Sequence, residues 1–389
     1  MTSRILQATF WRLTLALSIA ILFTQRTILA KTSKKSIKTM NAIDKCWRWN
    51  PKWRSHRQQL ATCSVGFAGK MTNNIGTGMT HYKVTDPSDN PLNPQEGTLR
   101  YGMTNIRGKV WITFQRDMKI KLEKPLLVSS FTTIDGRGVT IHIAGGACLV
   151  LHKVSNVIIH GLKIHHCRPQ VAGTVMGPDR KIETLANVDG DAIRLVSSSK
   201  VWIDHNTLFE CDDGLIDVTR GSTDVTISNN RFRNHNKVML LGHDDGFLRD
   251  KNMKVTVAFN HFGPACHQRM PRVRYGYAHV VNNLYQGWGL YAIGGSMNPS
   301  IKSEANLFIA PKSGKKEVTW IKNNGNGLPW NFQSKRDVFE NGASFTETGD
   351  ASIKSHYNQE QRFEVSDAKS VRTLTRSSGA LRCPKTSRC

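Results

Sequence analysis

Acid is what this sequence lacks. Across 389 residues, Asp and Glu number 29 against 54 Lys and Arg, a formal net charge of +25. A chain so short of acid attracts polyanions at long range. Nucleic acid, acidic polysaccharide and anionic membrane all qualify, and charge alone does not choose among them. A CxxC pair is also missing from the eight cysteines, which argues against a zinc knuckle. There is no Asn-x-Ser/Thr sequon. No apolar run is long enough for a comfortable membrane span; residues 13–23 are almost wholly apolar but too short.

That run has a different meaning. Arg4 and Arg12 precede it, small residues ending at Ala30 follow it, and a polar, basic "KTSKKSIK" comes next. This is the pattern of a secretory signal peptide over residues 1–30, cut near Ala30. Losing Arg4, Arg12 and Arg26 with it takes the net charge from +25 to +22. A secreted protein, extracellular or in a cell wall, does not normally meet nucleic acid, so that partner loses weight, and after cleavage no membrane partner is expected. An even cysteine count in an oxidising compartment permits disulfides. Proximity favours Cys46 with Cys63, Cys148 with Cys167 and Cys383 with Cys389, leaving Cys211 and Cys266 as buried thiols.

After a basic linker over 31–45, "CWRWNPKWRSHRQQLATC" is expected to form a short helix pinned at both ends by cysteine. Its Trp47, Trp49 and Trp53 are expected to pack that helix against the body rather than to line a sugar site. The middle of the chain repeats one template: an apolar residue, another two later, Asn at +5, and an apolar or aromatic residue at +7. It appears at Val201/Ile203/Asn206/Leu208, Val225/Ile227/Asn230/Phe232, Val255/Val257/Asn260/Phe262 and Ala278/Val280/Asn283/Tyr285. A weaker copy starts at Ile301, and one at Val157 has Leu162 in place of Asn. The starts step by 44, 24, 30, 23 and 23, and 44 is two steps of 22. A repeat of this length made of short alternating strands predicts a β-solenoid. Asn at one fixed turn position predicts a ladder of side chains between coils. Propeller repeats are longer, and a leucine-rich pattern is absent. The solenoid core is expected over about 105–311 of a single domain 46–389. The template fades from about residue 312, and the extension 312–389 is expected to pack back along the solenoid.

In so acid-poor a chain, clustered Asp residues stand out. "NVDGDAIRLV" holds Asp189 and Asp191, and "CDDGLIDVTRG" holds Asp212, Asp213 and Asp217. Residues two apart on a strand share a face. Asp189 and Asp213 each lie twelve residues before a template start, Val201 and Val225, which stacks them in neighbouring coils. Stacked carboxylates repel unless a cation sits between them, and hard oxygen donors without His or Cys favour Ca²⁺. Asp-Gly turn chemistry alone would not place both at one offset. Asp244 and Asp245 in "GHDDG" have no partner at a matching offset and are expected to be a turn. Lys237 lies one coil after Asp213, and Arg269, Arg272 and Arg274 one coil later, interleaved with apolar Met270, Pro271 and Val273. Together they predict a pocket for anionic oxygens, although alternation on a strand leaves open which arginines face it.

At these residues the sequence resembles the plant pectate lyases, from about Cys46 to Pro311. The resemblance is carried by "TDPSDNPLNPQEGTLRYG", "TIDGRG", "VDGDAI", "VWIDHN", "DDGLIDVTRGSTDVTISNN", "KVMLLGHDD", "VTVAFNHFG", "QRMPRVRYG" and "YAIGGS". It implies an all-β, right-handed parallel β-helix, with a short N-terminal helix and a packed C-terminal extension. It implies a secreted enzyme that cleaves polygalacturonate (pectate) by Ca²⁺-dependent β-elimination, leaving 4,5-unsaturated ends; a solenoid can stand as a monomer, and that is the expectation. By the same resemblance Asp189, Asp213 and Asp217 are Ca²⁺ ligands and Asp191 a further acidic ligand. Arg269 is the base, Lys237 and Arg274 bind substrate carboxylate, and Arg272 is structural. Two departures are Asn236, where many relatives carry Asp before the lysine, and Cys266 just ahead of the arginine motif. A polygalacturonase would hydrolyse without Ca²⁺, a pectin lyase would lack the calcium acids, and a wall-binding relative would keep the motif without turnover.

Overall fold

The structure, a computed structural model, describes residues 40–322, 331–349, 353–384 and 387–389. The expected signal peptide and the basic linker up to residue 39 lie outside the described residues. The alternating segments form three parallel sheets of ten, eight and nine strands among the described residues. A typical coil runs through Ser199–Asp204, Thr207–Phe209 and Ile216–Thr219, one strand in each sheet, before Thr223–Ser228 starts the next. The architecture is the right-handed parallel β-helix. Residues that alternate inward, such as Val201, Ile203, Leu208, Val225, Ile227 and Phe232, are fully buried along its axis.

The template starts stack in register. Val201 pairs with both Val157 and Val225, Val225 with Val255, Val255 with Ala278, and Ala278 with Ile301. The direct pairing of Val201 with Val157 corrects one expectation: the step of 44 is a single enlarged coil, not two of 22. Its surplus forms an antiparallel hairpin, Gly173–Met176 against Ile182–Leu185. Only the strands must stack, so a corner loop can lengthen without disturbing its neighbours. The stack also overruns the expected 105–311. Met79–Val84 pairs with Lys109–Phe114 at one end, and Asn331–Lys335 pairs with Ser300–Glu304 at the other. The terminal strand "NFQSK" carries one inward apolar residue, Phe332, too sparse a pattern to recognise.

The asparagine ladder is continuous. Each Asn side-chain oxygen accepts from the backbone N–H and the amide of the Asn one coil before it. Asn230 receives Asn206 at 2.8 and 3.1 Å, and Asn260 receives Asn230 at 2.9 and 3.1 Å. Asn283 and Asn306 continue the series. The same amides also donate to backbone carbonyls such as Ile203 and Ile227. The ends are closed differently. Leu162 needs no amide, because its backbone N–H donates to Asn206 at 2.9 Å. Asp337 takes the last rung, accepting from Asn306 at 2.7 Å. Next to the ladder, the +7 residues Phe232, Phe262, Tyr285 and Phe308 stack with ring centroids 4.5–4.9 Å apart.

The N-terminal segment and the tail cover the ten-stranded sheet. The helix lies earlier than expected: it runs Ala42–Trp47, so the end of the expected linker 31–45 is helical, capped by the Asn41 side chain, and within Cys46–Cys63 only Arg57–Thr62 adds a 3₁₀ turn, joined to the helix by Cys46–Cys63. Asn50-Pro51 lies between them, where helix continuation is disfavoured. Trp47 and Trp53 are buried, as expected, and Trp49 is exposed. The other two expected disulfides, Cys148–Cys167 and Cys383–Cys389, are present, and Cys211 and Cys266 are buried thiols. The tail runs back along the coils: Ser366 N–H donates to Asn282, Gly379 N–H to the Asn229 carbonyl, and Pro384 accepts from Trp53.

Beneath the N-terminal helix lies a buried ionic network. His205 sits between Asp204, at 2.7 Å, and Asp44, at 3.1 Å. Asp204 also accepts from the Ser228 hydroxyl and the Asn229 amide, and His160 lies 2.9 Å from it. Burial opposes charging His205, but the two carboxylates outweigh it and raise its pKa to about 9. Burial keeps His160 below its ordinary value.

Two tests follow from the stacking. Asn260→Ala strips partners from the Asn230 amide and the Ile227 carbonyl, and is expected to cost about 2–5 kcal/mol in chemical denaturation. A loss below about 0.5 kcal/mol would show that the ladder is dispensable. His205 has a folded pKa above its unfolded one, so its contribution is complete below pH 6.5 and is lost as pH rises through about 9. The thermal midpoint should fall across that window, and His205→Gln should flatten the slope.

Candidate active site

The acidic residues come from two successive coils, at and just before the start of two interior strands of the eight-stranded sheet. Asp189 and Asp191 precede the strand Ile193–Val196, while Asp213 precedes Ile216–Thr219 and Asp217 lies within it. One carboxylate oxygen from each of Asp189, Asp191 and Asp213 lies within 4.8 Å of the others. Asp217 pairs across the sheet with Arg194 and points to the same place. Gly214 makes this possible: a Cβ there would come within 2.3 Å of Asp217 Oδ1 and 2.9 Å of Asp191 Oδ1. Its N–H donates to Asp191 at 2.8 Å.

The electrostatics are those of a site short of positive charge. Burial, then Asp189, pushes the Asp191 carboxyl up to about 7. Burial, then Asp191 and Asp213, raises Asp217 well above the usual carboxylate range. Arg194 offsets part of this, 3.3 Å from Asp189 and 4.0 Å from Asp191. Four carboxylates converge here, with no His or Cys among the ligand atoms grouped at the site. That donor set fits a hard, oxygen-seeking cation such as Ca²⁺.

The basic residues adjoin the cluster on the following coils. Lys237 Nζ lies 2.7 Å from Asp213 Oδ1. The strand of Lys237 pairs it with Gln268, directly before Arg269. Arg269 occupies a coil corner at φ 61°, a left-handed conformation shared with other corners such as His205 and Asn234. Tyr291, buried against Gly294 and stacked on Trp320, lies near Arg269: burial raises its phenol pKa, and the charges of Arg272 and Arg269 oppose that rise. Arg272 and Arg274 share the outer face of their strand, with Val273 pointing into the core. Arg272 lies over Trp320 at 5.4 Å, with 3.4 Å to the Ser296 hydroxyl. Burial, then Arg274, lowers its pKa.

Arg274 reveals a residue that the sequence reading placed elsewhere. Its guanidinium is held 3.0 Å from Asp245, with the Gly242 and His243 carbonyls also accepting from it. Asp244 is the turn residue expected, accepting from Gly246 N–H at 2.8 Å, but Asp245 anchors an arginine. Tyr291 was also missed; a phenol 22 residues beyond Arg269 advertises nothing until the coils are stacked. Of the two departures, Asn236 accepts from Gln268 at 3.1 Å, and burial pushes the Cys266 thiol up to about 12.

Comparison with known proteins agrees with this fold. A family model for pectate lyase matches residues 59–372. Probable pectate lyase 16 of Arabidopsis thaliana is 49% identical over 351 residues, 90% of this chain and 88% of that protein. Pectate lyase 1 of Hesperocyparis arizonica is 49% identical over 347 residues, 88% of this chain and 94% of its own. The crystal structure of Jun a 1, the major allergen from cedar pollen, superposes with a TM-score of 0.84 at 49% identity, over 88% of this chain and 99% of that one. A Bacillus pectate lyase solved in complex with trigalacturonate shares the fold at 20% identity and a TM-score of 0.54, over 83% of this chain and 99% of that one. The stacked coils, the paired disulfides and these likenesses lead to one conclusion: the chain belongs to the pectate lyase family and is a lyase.

Proposed function

We propose that the enzyme cleaves de-esterified polygalacturonate by β-elimination, with Ca²⁺ held by Asp189, Asp191, Asp213 and Asp217. The observation that carries this reading is the convergence of carboxylates, with burial and then mutual repulsion raising Asp191 and Asp217, directly beside Lys237 and one coil from Arg269. When bound there, Ca²⁺ would help to withdraw electron density from the uronate carboxylate beside the C5 hydrogen.

Lys237 and Arg274 bind that carboxylate and stabilise the charge that grows on it as the proton leaves. Arg269 takes the C5 proton. The electron pair of the C–H bond becomes the C4–C5 π bond, the C4–oxygen bond breaks, and the leaving oxygen is protonated from solvent. The new end is a 4,5-unsaturated galacturonosyl unit. Arg272, lying over Trp320, supports the wall behind Arg269. Arginine normally stays protonated, so turnover through a neutral guanidine rises toward alkaline pH. We also propose that the protein is secreted to the cell wall and acts there as a monomer; its three disulfides suit an oxidising compartment.

Ultraviolet absorbance of polygalacturonate mixed with the enzyme is expected to rise with Ca²⁺ and to stay flat with excess chelator. Release of reducing ends without absorbance would instead mark a hydrolase. Arg269→Lys should lower kcat by about 10²–10⁴-fold while substrate binding survives; near-normal turnover would remove Arg269 as the base. Gly214→Ala should displace Asp217 and weaken Ca²⁺ binding by about tenfold or more in calorimetric titration. Its melting temperature in chelator should not fall by more than a few degrees. Unchanged Ca²⁺ affinity would place the cation elsewhere.

A further inference from the structure

The outer face of the nine-stranded sheet carries charge that neither the fold nor the reaction as described uses. Strand pairing sets Lys119, His142, Lys163, Thr207, Arg231 and His261 in one row, each beside the next on neighbouring strands. A shorter row, His165, Phe209 and Arg233, runs two residues further along the strands. That second row is stacked. His165 lies 4.4 Å from the Phe209 ring, from the strand before it, and the Arg233 guanidinium lies 3.9 Å from the same ring, from the strand after it. Stacking orders a guanidinium without neutralising it.

This face is short of acid. Among the described residues Lys119, Lys163, Arg231 and Arg233 have no ion-pair partner, and the two acids at its border are already engaged, Asp117 at 3.2 Å from Arg382 and Glu210 at 3.4 Å from His166. The titratable groups register the crowding. Burial, then Lys163 and Lys119, lowers the pKa of His142, and burial, then His142 and His166, takes His165 down to about 4. Burial, then Arg231, takes His261 to about 4, and burial, then Arg233, lowers Arg231 itself. Ring nitrogens of His142 and His165 stand 2.9 Å apart, and those of His165 and His166 2.7 Å. Each such contact needs one unprotonated nitrogen, so the lysines and arginines carry the charge. Like charges gathered on one face cost stability unless a polyanion meets them. The physics is that of the carboxylate cluster with the sign reversed.

We propose that this face is a second, non-catalytic binding site for an acidic polysaccharide, which holds the enzyme on a polyuronate chain while the carboxylate cluster, on the eight-stranded sheet, works on another stretch. The inference rests on the reading above of polygalacturonate as the polymer the enzyme meets. Charge and length select this occupant. Four strand spacings separate Lys119 from Arg231, about 19 Å, more than a single sugar acid spans. Cations set at intervals along a line suit a polymer with one carboxylate on each sugar. The C-terminal tail does not close the face. Ala380 N–H donates to Thr207 at 3.0 Å along the border with the ten-stranded sheet, while Lys119 is exposed and Lys163 and Arg233 are partly exposed. Lys119→Gln/Lys163→Gln/Arg233→Gln removes three charges and keeps polar side chains, without touching the carboxylate cluster, Lys237 or Arg269.

The test is calorimetric binding of de-esterified polygalacturonate in excess chelator, where the cation site is empty and the polymer stays whole. The native enzyme should bind, and this triple variant should bind about tenfold or more weakly. A control, Lys52→Gln/Lys83→Gln/Lys354→Gln, removes the same charge from exposed positions on and over the ten-stranded sheet and should bind like the native enzyme. Equal affinity of the native enzyme and the triple variant would overturn the proposal, and so would an equal loss in the control, which would mark a net-charge effect. Native protein that binds phosphatidylserine vesicles but not polygalacturonate would overturn it as well. Turnover of trigalacturonate with Ca²⁺ should be the same in all three proteins. If none of them cleaves it, the reading of the reaction fails by itself, and the binding measured in chelator still decides the face.

Discussion

Everything functional in this molecule depends on the register of one coil upon the next. Backbone pairing sets the spacing, but pairing alone tolerates slippage, and a one-residue slip would turn every inward side chain outward. The asparagine ladder removes that freedom. Each amide ties its neighbour's N–H and a carbonyl from an adjacent coil, so any shift would strand several buried polar groups at once. The aromatic stack beside it fills the same corner with rings that fit only in that register. Residues 24 apart in sequence, such as Asp213 and Lys237, thereby meet at 2.7 Å.

The acids illustrate how partners decide what a carboxylate is for. Asp204 is fully buried, yet His205 and His160 hold it below the usual carboxylate range. Asp217 is buried too, but its nearest charges are other carboxylates, and it moves the opposite way. Both places group ligand-type side chains, His160, Asp204 and His205 in one and Asp189, Asp191 and Asp213 in the other. The first is neutralised from within by His205 and Arg48, and so serves as a structural fastening for the N-terminal helix. The second is left wanting positive charge, which is the property of a cation site.

Much of this was legible in the sequence because a solenoid writes its fold as a period. The template starts became a single row of paired residues, and the equal offset of Asp189 and Asp213 became proximity. What escaped had no period to announce it. The hairpin hid inside a step of 44 that happened to be near twice 22. Asp337 ends the ladder with a different residue type, and Asp245 looked like turn chemistry until Arg274 was placed over it. His205 stood within a recognised stretch of sequence, but its second carboxylate, Asp44, comes from 161 residues away. Spacing carries neighbours in adjacent coils; it does not carry a helix laid across them.

The enlarged coil has a consequence for how such a protein can change. Because its insertion leaves the strands on either side in unbroken register, the length and chemistry of the corner can drift while the carboxylate cluster and the arginines stay where they are. Lineages carrying this scaffold could lengthen, shorten or recharge the hairpin while the coils on either side keep their pairing. Corner and coil are separately heritable here, written into parts of the chain that need not be altered together.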